Sequence, residues 1–238
     1  MNILKTPKKL FSKVPYAIQF IKPSNVFLQK RLLELSLSEI GIQTKGLPIS
    51  IDHENGTAKV GSVDVGLVYP RRFFTCARIL QKKIRHFEYY FNGAMPANGG
   101  RREMLEKYLS RNDSKILESY HGRKNSNKGR FNESYFSDLG NSKFALCPHQ
   151  ADWPGPRETM WTYRFVEACM AGSIPILFRA TPLGSKFIDG FHFFWDDTPC
   201  VYQHDLAMEN QRLAIERFTL GNSEIFKILQ TLQTKNQS

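Results

Sequence analysis

Residues 135–178 read YFSDLGNSKFALCPHQADWPGPRETMWTYRFVEACMAGSIPILF, and the order of signals within them decides the fold class. Lys143–Cys147 is a short apolar run stopped by Pro148, and residues 149–158 form a loop rich in Pro, Gly and charge. Trp161–Ala171 has helical spacing, and Gly172 stands where a left-handed C′ residue closes a helix. Ile174–Phe178 is an apolar run of buried-strand length. Strand, loop, helix and strand in that order make a βαβ unit, which requires a parallel sheet covered by helices. Ligands of open parallel sheets bind where the strands' carboxyl ends meet helix N-termini. The loop 149–158 occupies that position.

The polar residues of this stretch gather at the same place. Arg157 lies just before the helix start, where free N–H groups and the dipole favour an anion. Arg164 and Glu167 are three apart and share a helix face. Two guanidiniums there suit a diphosphate, and a carboxylate one turn on can accept from a ribose diol. The same spacing equally describes an i,i+3 surface ion pair beside a solvated Arg157. A second segment has the same layout. Phe87–Phe91 (FEYYF) is a β-prone aromatic run, followed by NGAMPANGGRR and a helical pattern from Glu103 to Leu109. Gly93, Gly99 and Gly100 would let backbone approach a ligand, and Arg101 and Arg102 would bring charge to it. The pattern is neither GxGxxG nor a P-loop.

Ser142–Pro148 (SKFALCP), Arg157, and Arg164–Phe178 (RFVEACMAGSIPILF) together resemble the C-terminal half of exostosin-like glycosyltransferases. The resemblance covers residues 135–180 and, less closely, 86–110; it does not extend before residue 80. A related acidic helix ahead of an Ala-Gly turn occurs in α1,3-fucosyltransferase-like enzymes, so the match leaves donor base and sugar open. It implies a Rossmann-like parallel sheet with flanking helices, of the two-Rossmann (GT-B) type, this half binding a nucleotide-sugar donor, UDP- or GDP-linked. It further implies that Arg157 and Arg164 face the donor diphosphate, Glu167 the ribose, and the Gly93–Arg102 loop the cleft. Asn92 departs from the family, which often has Arg there. His149, in the loop after the first strand, is a further candidate contact to diphosphate or sugar.

Outside these units the chain divides into a first part, 1–80, a sheet-bearing part, 81–204, and closing helices, 205–238. In the first part Val26–Ile40 is expected to be helical with Gly41 as its stop, and Asn55-Gly56 a type I′ hairpin turn between Ile49–Glu54 and Thr57–Val63. Asp64–Tyr69 is expected as a further strand, Arg78–Arg85 as a basic helical or connecting segment, and Lys115–Glu118 as a short strand. His121–Asn132 is expected to be a mobile surface loop. Asp205–Phe218 and Ser223–Leu232 are expected helices split by Gly221, with Asn222 as N-cap; in two-Rossmann transferases such closing helices return to brace the first domain. A full acceptor-binding Rossmann half needs well over about a hundred residues, so the N-terminal half is expected to be reduced.

With 238 residues, 41% hydrophobic and 13% aromatic, the chain can bury a sizeable core. Its net charge of +11 suits acidic partners such as nucleoside diphosphates or uronic and sulfated glycans. The aromatics fall in apparent buried strands rather than among the basic patches, so nucleic acid is not expected as a partner. Cys76, Cys147, Cys169 and Cys200 show no metal spacing and read as reduced thiols. No run has the length of a membrane span and no signal peptide is apparent, so a cytoplasmic location is expected; the Lys-rich, amphipathic N-terminus suits contact with a membrane surface.

The expected activity is transfer of a sugar from a nucleoside-diphosphate sugar to a glycan or other acceptor. No Asp-x-Asp metal motif is present, and Asp196-Asp197 reads as a turn after a strand, so neither metal nor cofactor is expected. Asp52, in the cluster Asp52-His53-Glu54, is the candidate base in the first part. The competing reading is a non-catalytic binder of nucleotide or anionic glycan.

Overall fold

The computed structural model describes residues 24–52, 56–95, 100–118, 130–148, 162–178 and 187–235. Helix α1 (Ser24–Glu39) is followed by a meander of β1 (Ile49–Asp52), β2 (Thr57–Val60) and β3 (Val63–Asp64). Gly41 and Gly56, at φ +80° and +65°, supply the left-handed turns that end α1 and lead into β2. The third strand is two residues long, and residues 65–70 are irregular; Pro70, whose fixed φ suits a helix start, opens α2 (Arg71–Ile79). The sequence instead predicts a strand over 64–69 and a helical or connecting segment over 78–85. It misses α2 because Arg71-Arg72 ahead of two phenylalanines has no capping side chain to mark a start.

The rest of the chain builds an α/β layer. β4 (Phe87–Gly93), α3 (Gly100–Leu109), β5 (Ser114–Glu118), α4 (Glu133–Gly140), β6 (Ser142–Leu146), α5 (Tyr163–Met170), β7 (Ile174–Leu177) and β8 (Phe194–Trp195) alternate along it. The five strands lie in the order β5-β4-β6-β7-β8, every neighbouring pair parallel. Counted along the sheet's own strands this is 2-1-3-4-5, a doubly wound, Rossmann-like arrangement. The chain moves outward from β4 to β5, then returns past it to β6. The winding therefore reverses between β4 and β6.

Both faces of the sheet are covered, which explains the continuous apolar strands. Phe91, Phe144, Leu146, Ile174 and Ile176 face Met104, Leu105 and Tyr108 of α3. Tyr90, Ala145, Cys147 and Leu177 alternate to the opposite face, under α2, α4 and α5. Helix α4 has no counterpart among the expected elements. Its cap is nevertheless local: Asn132 Oδ1 accepts from the Tyr135 N–H at 3.1 Å, and Glu133 sits in the first turn. The four cysteines are free thiols. Among the described residues no helix is long and apolar enough to cross a membrane.

The closing helices part company. α6 (His204–Arg217) stays on the sheet domain, where Gln211 Nε2 donates to the Met170 carbonyl at 2.7 Å. α7 (Asn222–Lys235) returns to the meander and completes a second, smaller core from Ile228, Leu220, Val60 and Val63 with Leu33 and Leu37 of α1. Asn222 is the first helical residue rather than the cap. Helix α1 serves both cores, since Leu28 and Leu32 belong to the larger one. Because Ile228 is fully buried between meander and α1, Ile228→Ala is expected to lower stability by about 2–5 kcal/mol in urea unfolding.

Candidate functional site

The reversal between β4 and β6 opens a crevice at the carboxyl ends of the two strands. Gly93 ends β4, and β6 runs out through Cys147 and Pro148 into the loop that carries His149 and Arg157. His149 and Arg157 lie outside the described residues, as do 121–129 of the expected surface loop and His53 and Glu54. In the chain, the segments that follow β4, β5, β6 and β7 bring Arg101 and Arg102, Arg123 and Lys124, Arg157, and Arg179 respectively. Basic residues thus follow the carboxyl end of each of these four strands.

Arg164 is the described residue that reaches this crevice. Thr162 caps α5, its side chain accepting from the Arg164 N–H at 3.3 Å. The helix therefore starts with its N-terminus toward the carboxyl edge. From there the Arg164 side chain crosses to β4, where Nε–H donates to the Asn92 carbonyl at 3.2 Å. The guanidinium lies over the Phe91 ring, with its carbon 4.8 Å from the centroid. It also rests on Gly93. A methyl on Gly93 would come within 2.9 Å of Arg164 Cζ and would overlap Nη2. Gly93 is needed for this close approach, because its φ is not in the left-handed region.

Glu167 points elsewhere. It is only 5% exposed, and its Oε2 accepts from the Tyr135 hydroxyl of α4 at 2.9 Å. Arg164 and Glu167 thus engage β4 and α4, respectively, where spacing alone allowed a surface ion pair. Tyr135 packs against Tyr90 at 6.0 Å between centroids, and the Tyr90 hydroxyl accepts from Asn92 Nδ2 at 3.3 Å. Asn92 is bound at both ends, its carbonyl to Arg164 and its amide to Tyr90. Tyr90 and Tyr135 are residues of this junction that the sequence does not single out, and Asn92 stands out there only as a departure from the family pattern. The Asn132 cap was the signal that would have placed Tyr135 on a helix facing Glu167.

The remaining candidates are dispersed. Arg101 and Arg102 fall in the first turn of α3, and Arg102 Nε pairs with Glu106 at 2.8 Å on the same helix. Asp52 is exposed at the end of β1, in the antiparallel sheet, opposite Thr57. The structure brings Gly93, Arg164 and Glu167 to one strand–helix junction and places Asp52 on the other sheet. Asp196 does more than cap a turn: its buried carboxylate pairs with Lys107 of α3. Burial drives the Cys169 thiol well above its ordinary range, and burial with Glu88 pushes Cys200 up to about 11, so neither is a thiolate at neutral pH. No group of metal-binding side chains occurs among the described residues.

No family model matches the chain, and no curated protein matches it. The site therefore rests on its own geometry. Gly93→Ala is expected to push the Arg164 guanidinium off β4 and cost about 1–3 kcal/mol in urea unfolding. Tyr135→Phe, which removes the donor to a buried carboxylate, is expected to cost a similar amount, about 1–3 kcal/mol, in the same measurement.

Proposed function

We propose that this protein is a metal-independent glycosyltransferase of GT-B type, with its nucleotide-sugar donor at the junction of β4, β6 and α5. One observation carries the reading. The crevice where the winding reverses is the place at which a capped helix N-terminus, a glycine under close contact and a guanidinium coincide. A diphosphate there meets the helix N–H groups and Arg164, with Arg157 and His149 following from the adjoining loop. Glu167, buried and bonded to Tyr135, does not reach the ribose as the resemblance implies; it ties α5 to α4 and so fixes the helix N-terminus that faces the donor. In the transfer, the bond from the sugar's anomeric carbon to the diphosphate oxygen breaks and the electron pair leaves with the diphosphate. Arginine and helix dipole stabilise that charge. The acceptor hydroxyl supplies the new oxygen–carbon bond and gives its proton to a base, for which Asp52 is the candidate from the N-terminal part.

The second reading, a binder of nucleotide or anionic glycan without transfer, is favoured by a specific feature. The described part of the N-terminal region holds a three-stranded antiparallel meander, where a full acceptor half would carry a second parallel sheet.

A thermal-shift panel of UDP-, GDP- and CMP-linked sugars tests both. One nucleotide is expected to stabilise the protein, and Arg164→Ala is expected to weaken its affinity roughly tenfold to a hundredfold, the loss of about 1.5–3 kcal/mol from a charge-assisted contact. Absence of a response to every nucleotide would overturn donor binding. Slow release of free sugar from the stabilising donor marks the enzyme; stabilisation without release marks the binder.

A further inference from the structure

A second charged feature lies at the opposite, amino-terminal edge of the parallel sheet. Residues 80–86 lead from α2 into β4 and are held in place by the turn between α4 and β6. Lys82 N–H donates to the Gly140 carbonyl at 3.0 Å, Phe87 N–H to the Asn141 carbonyl at 3.1 Å, and His86 N–H to Asn141 Oδ1 at 3.1 Å. Against this segment opens a cavity of about 560 Å³, lined by Arg78, Gln81, Lys82, Lys83 and Arg85. Tyr202 and His204, at the start of α6, also line it, and α6 has no side-chain cap on its N-terminus. From this edge to the crevice at Gly93 runs the full length of β4, about 20 Å. The two places are separate sites.

Most of the charges in this cavity lack counter-ions among the described residues. Lys143 lines it as well and pairs with Glu88 at 2.7 Å. Arg78, Lys82, Lys83 and Arg85 make no ion pair among the described residues. Arg85 is half-buried. Its Nη1 donates to the Ser142 carbonyl at 2.7 Å, and its guanidinium lies 5.2 Å from the Tyr202 ring centroid. Both partners are neutral. Burial accordingly lowers the Arg85 pKa from its ordinary value, with Tyr202 offsetting part of the shift.

Two donors lie close together against Gly172. A Cβ on Gly172 would lie 2.9 Å from Gln81 Nε2 and 3.0 Å from Arg85 Nη2. Gln81 Nε2 is buried and has no hydrogen-bond partner among the described residues. An orphaned buried donor costs about 1–3 kcal/mol, so natural proteins rarely keep one without a use. Here it stands beside a half-buried guanidinium, amid uncompensated lysines, in a cavity that no described carboxylate lines.

We propose that this cavity is a binding site for a compact phosphate-bearing anion. Gln81 Nε2 and Arg85 Nη2 hold one phosphate group, and Lys82, Lys83 and Arg78 neutralise the remaining charge. A tetrahedral oxyanion matches the donor set, since it accepts from an amide and a guanidinium at once. A single carboxylate would leave most of the positive charge unanswered. The chemistry has two sources: a soluble phosphorylated molecule or an anionic lipid headgroup. Ile79 and Ile84, 75% and 74% exposed, adjoin the cavity residues in the chain and suit the second source.

Pyrophosphate binding to the full chain, followed by titration calorimetry in the Arg164→Met background so that the carboxyl edge does not contribute, tests the site. Saturable binding is expected there. It should weaken about tenfold or more in Lys82→Ser/Lys83→Ser, two exposed positions that leave the fold intact. Gln81→Leu removes an unpartnered donor, so the unliganded protein should melt no lower than its parent while losing a similar factor in affinity. No binding in the Arg164→Met background, or binding that either set of changes leaves untouched, overturns the proposal. Cosedimentation with phosphatidylcholine vesicles, with and without phosphatidic acid, separates the sources. Lysine-dependent sedimentation with phosphatidic acid supports the site with a headgroup as ligand. Pyrophosphate binding without sedimentation supports it with a soluble one.

Discussion

Strands β4, β6 and β7 give little of either face to water. Parallel pairing forces each connection to cross over the sheet, so helices accumulate on both sides and cover the middle of the strands from above and below. Phe144 and Leu146 meet α3 while Ala145 and Cys147 meet the opposite helices. That leaves only the strand ends for polar chemistry. Both basic features of the protein obey this constraint, one at each edge of the sheet. The crevice at the carboxyl edge is framed by helix N-termini and the residues after β4 and β6. The cavity at the other edge is framed by the segment before β4 and the start of α6.

At the carboxyl edge, contact geometry and electrostatics act through the same atoms. Arg164 can lie over β4 only because Gly93 has no side chain, and there it meets the Asn92 carbonyl and the Phe91 ring. Glu167, which could have neutralised it, is drawn the other way by Tyr135. Helix α4 therefore takes part in the site without touching the crevice.

Local signals revealed the βα units, and long-range ones stayed hidden. Lys143–Cys147, Ile174–Phe178 and Phe87–Phe91 were recognisable as strands because apolar and aromatic runs of that length are punctuated by Pro and Gly. Gly41 marked the end of α1 for the same reason, and the β1–β2 hairpin was recognisable, but Asp52 pairs with Thr57, so four residues separate the strands where Asn55-Gly56 alone predicts a two-residue turn. The strand order was not legible, since it depends on pairings between segments that no local pattern connects. The burial of Glu167 was not legible either: beside Arg164 in the chain it resembles half of a surface pair, and only the helix packed over it reveals otherwise. That helix escaped notice because Tyr135 and Phe136 carry strand propensity, and the Asn132 cap before them was the overriding cue. The charge at the amino-terminal edge was visible as a run of Lys and Arg. What concentrates it is the bond network between residues 80–86 and 140–142, which is tertiary.

The return of α7 to the meander has a consequence for synthesis. Val63 and Ile228 share one core across roughly 160 residues of chain, so a core begun by β1–β3 is finished by α7. Closing so long a loop is slow compared with forming the βα units between them. On a ribosome adding about 5–20 residues per second, the meander waits on the order of ten to thirty seconds for its missing wall. During that interval Val60, Val63 and the inner face of α1 lack one partner layer, and the exposed edges of a small antiparallel sheet are open to other chains. The parallel sheet, with most of its covering helices emerging in step with its strands, carries no such delay. Nascent chains of this protein should therefore present a folded α/β layer tethered to an unfinished N-terminal unit, the natural point for a chaperone to engage.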